Sequence, residues 1–265
     1  ACAAPSAGPD PSPRPAAEPA PAPVAFAWSP GVHRTVLESR AAVTVAGDTA
    51  EARDTVVTTM WATLRLDDGA PPRRLGGTID SVAIRAGERI PAPPPDLPLP
   101  ITFEGAVDGG AVSIPVPTAT AADCSSPAAA LLATARELLP SVPARLSPGV
   151  RWTDSVTTTT CRGGVVLTTT TVHGYVVVGP AEWSGTPAMR VDRATTLAVR
   201  GEGEQARERV TVAGQGTGTA TLHLDPTAGR LLDLRGSNRL ELTFSGAGRT
   251  ERVVQEGTVS VREHP

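Results

Sequence analysis

The side chains that most often do chemistry in proteins are few and scattered in this sequence. Its four histidines are His33, His173, His223 and His264. None has a second histidine or cysteine two or four residues away, so the sequence predicts no local metal site. His173 and Tyr175 lie two residues apart, on the same side of a predicted strand. They are the candidate binding face.

Sequence motifs for catalysis are missing as well. The chain has no G-x-S-x-G elbow, no Walker loop and no C-x-x-C pair. The Gly-rich run at 214–218 lacks the glycine spacing and the following helix that bind phosphate, so we interpret it as a turn or bulge. We therefore predict no catalytic residue, no cofactor and no enzymatic activity.

The three cysteines suggest an exported protein. Ala1-Cys2-Ala3-Ala4-Pro5-Ser6 resembles the end of a bacterial lipobox, in which the Cys is acylated and becomes the N-terminus. That processing would remove Ala1, so either the sequence keeps a precursor residue or Cys2 is an ordinary thiol. We predict lipid attachment at Cys2. Cys124 and Cys161 form an even pair, which predicts a disulfide; the alternative is two unpaired, half-buried thiols.

Composition narrows the fold and the partners. All 24 basic residues are Arg, and the net charge is −3, so no basic field is available to attract nucleic acid. Hydrophobic residues make up 40% of the chain but aromatic residues only 3%, which predicts a core of Val, Leu, Ala and Thr methyl groups. β-Branched residues fit pleated sheets, so this composition favours strands.

The chain divides into a tether and two related halves. Residues 1–27 are rich in Ala and Pro and predict a solvated tether. Ser29-Pro30-Gly31-Val32 recurs as Ser147-Pro148-Gly149-Val150, each time before a long β-rich run, which indicates a duplication. We predict a first β half at 28–122 with a Pro-rich loop at 91–100, a helical connection at 123–146 and a second β half at 147–265.

Alternation of apolar and polar residues defines the strands. In the first half we predict strands at 32–46, 55–66, 78–86, 101–103 and 112–116. In the second half we predict strands at 150–160, 165–178, 188–200, 207–213, 217–225, 230–235, 238–245 and 250–263.

One face of these strands is apolar and the other polar, as in antiparallel sheets with one solvated face. Leu222 and Leu224 alternate with Thr221 and His223 in this way. The fold class is therefore all-β: two antiparallel meander halves forming a sandwich or a half-barrel.

A single helix is predicted at 127–139, with Ser126 as its N-cap and an apolar stripe of leucines. It either packs across the sheet or plugs one end of a barrel. Two threonine runs, 157–160 and 168–171, face each other across the turn at 162–164. They form a hydroxyl ladder, as on glycan-binding faces, or serve simply as good strand formers.

The strand-turn-strand segment Leu224-Asp225-Pro226-Thr227-Ala228-Gly229-Arg230-Leu231 resembles bacterial extracytoplasmic lipoproteins built as curled β-meanders. Some members of that class carry lipids or sorted lipoproteins. The resemblance covers the C-terminal part of the chain and implies a type of fold. It also agrees with a bacterial protein that is lipid-anchored on the periplasmic or extracellular face of the membrane.

Three functions are consistent with these sequence features. The first is a non-catalytic docking subunit of an integral membrane protein complex, such as a photosynthetic or respiratory complex. The second is a periplasmic carrier of lipid or another apolar ligand, which requires a cavity lined by Val, Leu and Ala. The third is a glycan-binding or surface-binding module.

Overall fold

The computed structural model of the chain describes residues 22–46, 51–87, 97–115, 128–162, 164–205, 208–246 and 248–264. The strands of these residues are β1 (Val24–Ala25), β2 (Gly31–Ala46), β3 (Glu51–Leu66), β4 (Arg73–Ala86), β5 (Ile101–Asp108), β6 (Ala111–Ser113), β7 (Arg145–Leu146), β8 (Arg151–Arg162), β9 (Val165–Trp183), β10 (Thr186–Gln205), β11 (Glu208–Asp225), β12 (Arg230–Gly246) and β13 (Arg249–Glu263). The same residues contain one α-helix, α1 (Ala128–Ala135), and a turn of 3₁₀ helix (Arg136–Leu138).

Eleven of the strands form one antiparallel sheet, in the order β6-β5-β4-β3-β2-β13-β12-β11-β10-β9-β8. Neighbouring strands are consecutive in sequence within each half, which confirms the predicted all-β meander. The two halves meet where β2 pairs with β13. Because the halves join edge to edge, they make one curled sheet, and the half-barrel rather than the sandwich is correct.

The repeated tetrapeptides lie at equivalent places in this sheet. One leads into β2 and the other into β8. Gly31 has a φ of 121° and Gly149 a φ of 86°, a left-handed conformation that glycine adopts without strain. Each tetrapeptide therefore makes the sharp entry into the first long strand of its half.

Two predicted breaks in the second half are wrong. The segments 207–213 and 217–225 belong to the single strand β11, and 230–235 and 238–245 belong to the single strand β12. The Gly-rich run at 214–218 forms no turn or bulge, since it stays in continuous register with both neighbouring strands. Clustered glycine often indicates a turn, but here it has a different role inside a strand.

That role is to let the sheet curl. Gly214, Gly216 and Gly218 all lie on the concave face, the side of the sheet that α1 covers. A Cβ on Gly218 would lie 2.8 Å from the carbonyl oxygen of Ser237 on β12. Side chains converge on the inner side of a curved sheet, so glycine at these positions allows β11 and β12 to approach closely.

The helix and the N-terminal segment close one end of the half-barrel. The predicted leucine stripe is confirmed: Leu132, Leu138 and Leu139 are buried against the sheet. The last turn of the predicted helix is 3₁₀, and Ser126 and Pro127 lie outside the described residues. At the N-terminal end, the rings of Phe26 and Trp28 pack edge to face with centroids 5.2 Å apart.

Candidate functional site

The side chains on the concave face change in size and polarity along the strands. We describe them as three successive rows, each made of residues that lie opposite one another on neighbouring strands. In the core row every side chain is apolar and at most 1% exposed: Val191, Leu222, Leu234, Val261, Leu37 and Met60. The middle row is Arg193, Ala220, Gly236, Val259, Ser39 and Thr58. The glycine row is Thr195, Gly218, Asn238, Gly257, Ala41 and Val56.

A cavity of about 290 Å³ lies where the middle and glycine rows replace the core row. Its floor includes Gly218 and Val259, and its roof is made by the end of α1 and the residues that follow, Glu137 among them. The helical segment spans a part of the sheet whose side chains are too small to fill the space beneath it. The cavity is therefore a consequence of side-chain size on otherwise regular strands.

A buried ionic cluster forms one wall of the cavity. Arg193 on β10 donates through Nη1 to Glu137 Oε2 in the 3₁₀ turn at 2.6 Å. His173 on β9 lies with Nε2 3.5 Å from Glu137 Oε1 and Nδ1 2.9 Å from Thr195 Oγ1. Glu137 therefore ties the helical connection to the neighbouring strands β9 and β10.

A second ion pair extends the cluster toward the sheet edge. Arg136 Nη2 lies 3.2 Å from Asp154 Oδ2 on β8, and both side chains are largely buried. Beside it, the Trp152 and Tyr175 rings stack with centroids 4.8 Å apart. Trp152 Nε1 also donates to the Ser141 carbonyl oxygen at 3.0 Å. The wall is thus held by contacts from both the helical connection and the sheet.

Burial sets the protonation of this wall. Burial lowers the pKa of His173 below its usual value, with Glu137 acting in the opposite direction and Arg193 reinforcing the shift. Burial raises the pKa of Tyr175 to about 12. Burial also disfavours the charge on Arg193, but Glu137 and Tyr175 outweigh it, so the pKa of Arg193 is raised. At neutral pH the wall contains a neutral imidazole and a neutral phenol.

One hydrogen-bond donor of this wall is unused. The Nε of Arg193 is buried and has no acceptor among the described residues. The side chain of Arg193 is only 7% exposed. A buried donor without an acceptor costs the folded state free energy.

Beyond the cavity the concave face becomes apolar again. A distal cluster, separate from the main core, is formed by the buried side chains Val165, Leu167, Val199, Val212 and Leu242. Leu197 lines the cavity and lies two residues before Val199 on the same strand. The cavity therefore lies between two apolar regions, and its own lining combines apolar, hydroxyl and charged groups. This differs from the lining of Val, Leu and Ala that the carrier hypothesis required.

The structure brings both candidate binding residues to this wall. His173 and Tyr175 are 7% and 4% exposed and line the cavity, with ring centroids 6.1 Å apart. Whether they contact a ligand stays a prediction. The other three histidines lie elsewhere, and the described residues contain no group of three or more His, Cys, Asp and Glu side chains that could hold a metal ion.

Sequence reasoning missed the ionic partners of these two residues. A signal for Arg193 was present, since it interrupts the alternating apolar positions Val191, Leu197 and Val199 of β10. A charged residue on the buried face of a strand needs a partner. The partner Glu137 had no such signal, because it comes from the helical connection and not from a neighbouring strand.

A second cluster lies on the convex face and was also missed. The rings of Trp183 and His223 stack with centroids 4.6 Å apart, and the guanidinium of Arg235 lies 4.9 Å from the Trp183 ring centre. Arg235 also pairs with the buried Asp233 at 3.2 Å. Burial lowers the pKa of His223 and raises that of Asp233. These groups pack against each other on the sheet surface.

The threonine runs pair as the sequence suggests. Thr157 lies opposite Thr170, and their hydroxyl oxygens are 3.2 Å apart.

Cys161 takes part in a disulfide. Its partner lies outside the described residues, as do Cys2 and Cys124, so the pairing of Cys124 with Cys161 and the acylation of Cys2 stay predictions. No helix among the described residues is long and apolar enough to cross a membrane.

No family model matches the chain, and no curated protein matches it. Among solved structures, the chain aligns with Neisserial surface protein A (NspA) at 7% identity and a TM-score of 0.23, over 86% of this chain and 97% of that one. It aligns with Pseudomonas aeruginosa OccK8 (OprE) at 9% identity and a TM-score of 0.20, over 86% and 98%. The crystal structure of Pseudomonas aeruginosa OpdK with vanillate gives 7% identity and a TM-score of 0.20, over 87% and 99%. These scores are too low to support an argument about fold or function.

Proposed function

We propose that this protein is a non-catalytic binding protein that holds a small amphiphilic ligand on the concave face of its half-barrel. The observation that carries the proposal is the cavity of about 290 Å³ between the helical connection and the sheet. Its volume is close to the lower end of the range for small-molecule sites, about 300–1,000 Å³. Such sites combine an apolar lining with a few placed polar groups.

The two kinds of lining suit the two parts of an amphiphile. Val156, Leu197 and Val259 offer apolar surface, and Leu197 lies beside the distal apolar cluster. The ionic wall around Arg193 and Glu137 offers polar groups at the other side. An apolar chain directed toward the distal cluster, with its polar group at the wall, satisfies both. This proposal modifies the predicted lipid carrier, whose ligand was expected to be wholly apolar.

A cavity-filling variant tests the proposal. Val156 and Ser155 are neighbours on β8 and point to opposite faces; Val156 lines the cavity, and Ser155 is exposed. Val156→Trp should therefore weaken binding of a fluorescent monoacylglycerol at least about tenfold, a change of about 1.4 kcal/mol. Ser155→Trp should bind as the unaltered protein does.

Fluorescence titration measures the affinity, and thermal unfolding checks that both variants are folded. Equal binding by the two folded variants would place the ligand elsewhere and contradict the proposal. Absence of binding by the unaltered chain would contradict it too.

The predicted roles as docking subunit of a membrane complex and as glycan-binding module stay predictions, as does the location at the bacterial envelope. The segment that would anchor a docking subunit, residues 1–21, lies outside the described residues.

A further inference from the structure

The charges in the cavity wall are balanced one for one. Arg193 pairs with Glu137 at 2.6 Å, and Arg136 pairs with Asp154 at 3.2 Å. His173 adds no charge at neutral pH, because burial lowers its pKa. The wall therefore has no excess positive charge with which to attract an anion.

An anionic head group would be destabilised in this wall. To reach Arg193 it would have to lie beside the Glu137 carboxylate, which already accepts a hydrogen bond from Arg193 Nη1. Two negative charges in a partly buried site repel each other strongly, because the surroundings screen them less than water does. If the anion instead displaced Glu137, it would leave that carboxylate without its cation.

An uncharged oxygen atom is not repelled by the Glu137 carboxylate and does not compete with it for Arg193. A hydroxyl, ether or ester oxygen brings no charge beside the Glu137 carboxylate and leaves its ion pair with Arg193 intact. The hydroxyl groups of Ser39 and Thr171 line the cavity and can donate hydrogen bonds to such a head group or accept them from it.

Building on the proposed function, we infer that the ligand is an amphiphile with an uncharged, oxygen-bearing head group, which forms hydrogen bonds with the hydroxyl groups of Ser39 and Thr171. Glu137 acts as the residue that sets this specificity, because its carboxylate neutralises Arg193 and excludes phosphate and carboxylate head groups. The acyl part extends past Leu197 toward the distal apolar cluster.

A matched pair of lipids tests this inference. A monoacylglycerol and the lysophosphatidate with the same acyl chain differ only in the phosphate. Each is titrated against the full chain in competition with a fluorescent monoacylglycerol, below the concentration at which either lipid forms micelles. The unaltered protein should bind the monoacylglycerol at least about tenfold more tightly.

Glu137→Gln should then raise the affinity for lysophosphatidate about tenfold, because the variant keeps a side-chain oxygen for Arg193 but leaves its positive charge uncompensated. Glu202→Gln makes the same chemical change in the exposed pair of Glu202 with Arg209 and should leave both affinities unchanged. Arg193→Met leaves the Glu137 carboxylate without its cation, so this variant should bind lysophosphatidate no more tightly than the unaltered protein does, and thermal unfolding shows whether it folds.

The outcomes separate the two proposals. If the unaltered chain binds lysophosphatidate as tightly as the monoacylglycerol, or if Glu137→Gln leaves the lysophosphatidate affinity unchanged, the head-group inference is wrong while the amphiphile site remains. If neither lipid binds, the proposed function itself fails. If a variant does not fold, the affinities of the unaltered protein for the two lipids still test the head-group inference.

Discussion

The core row and the glycine row lie on the same strands, only four residues apart, yet one is solid and the other borders a cavity. Successive residues of a strand rise by about 3.3 Å, so the change takes place over about 13 Å. On β11 it is the change from Leu222 to Gly218, and on β10 from Val191 to Thr195. The hydrogen-bonded register between these two strands continues without interruption across both rows.

This difference shows that two separate properties of the sequence specify the sheet and the cavity. Period-two alternation determines which side chains face the inside, and it is the same in both rows. The size of those side chains then determines whether the helical connection rests on a packed core or spans open space. A binding site can therefore be built into a regular sheet without any loop to form it.

The largest expected effect comes from removing a side chain of the core row. Leu222 is 0% exposed, and Leu222→Ala should lower the free energy of unfolding by about 2–5 kcal/mol, since it removes packed contacts and leaves a void. Leu197→Ala makes the same change at a half-buried position that already borders the cavity, and should cost less than half as much. Urea denaturation measures both. Equal losses would mean that the cavity is as well packed as the core row.

A smaller effect is expected from adding a side chain to the glycine row. Gly218→Ala would place a Cβ 2.8 Å from the Ser237 carbonyl oxygen, so β11 and β12 must move apart, at a cost of about 1–3 kcal/mol. Gly174 is the matched control, also inside a strand, where an added Cβ would lie 4.0 Å from its nearest neighbour, the Ala194 carbonyl oxygen. Gly174→Ala should stabilise the protein by about 0.5–1 kcal/mol.

If the curvature of the sheet requires glycine at position 218, the two alanine substitutions should change the free energy of unfolding in opposite directions. Denaturant unfolding measures both changes. A stabilising Gly218→Ala would show that the sheet has room on its concave side and that the glycine row has another cause. The comparison isolates curvature because both substitutions change the unfolded chain in the same way.

Much of the fold was predictable because strands depend on local pattern. The alternation of Leu222 and Leu224 with polar neighbours predicts the buried face correctly, and the leucines after residue 127 predict the packed helical connection. The predicted breaks in β11 and β12 failed for a physical reason. Glycine permits turns, and it also permits close approach of strands, and only the curvature of the finished sheet decides between these uses.

The site was predictable only in part. His173 and Tyr175 share a face by the period of a strand, so one sequence segment was enough to pair them. Glu137 is 56 residues from Arg193 and belongs to a different kind of element, so no local pattern connects them. Their contact depends on where the helical connection crosses the sheet, which the alternation of the strands does not specify.

The smallest expected effect is a pH dependence of the free energy of unfolding. It arises from a titratable side chain in the cavity wall, whereas every side chain of the core row is apolar. Burial lowers the pKa of His173 in the folded state below its value in the unfolded chain, about 6.5. The neutral form therefore contributes stability that is fully present above pH 6.5 or so and is lost as the pH falls through the folded-state pKa. The free energy of unfolding should decrease on acidification from neutral pH.

His173→Gln should reduce this decrease, because glutamine keeps a polar contact to Thr195 but takes up no proton. The charged groups facing His173 are Glu137 and Asp154, which favour its protonation, and Arg193 and Arg136, which oppose it. His223 on the convex face also has a lowered pKa. His223→Gln should therefore remove its own part of the decrease in the free energy of unfolding on acidification. The two shares should add, since the histidines have no partner in common among the described residues. Urea titrations at neutral and acidic pH measure each share. An undiminished decrease in His173→Gln would mean that folding does not lower the pKa of His173, so that the cavity wall gains a positive charge on acidification as readily as the unfolded chain does.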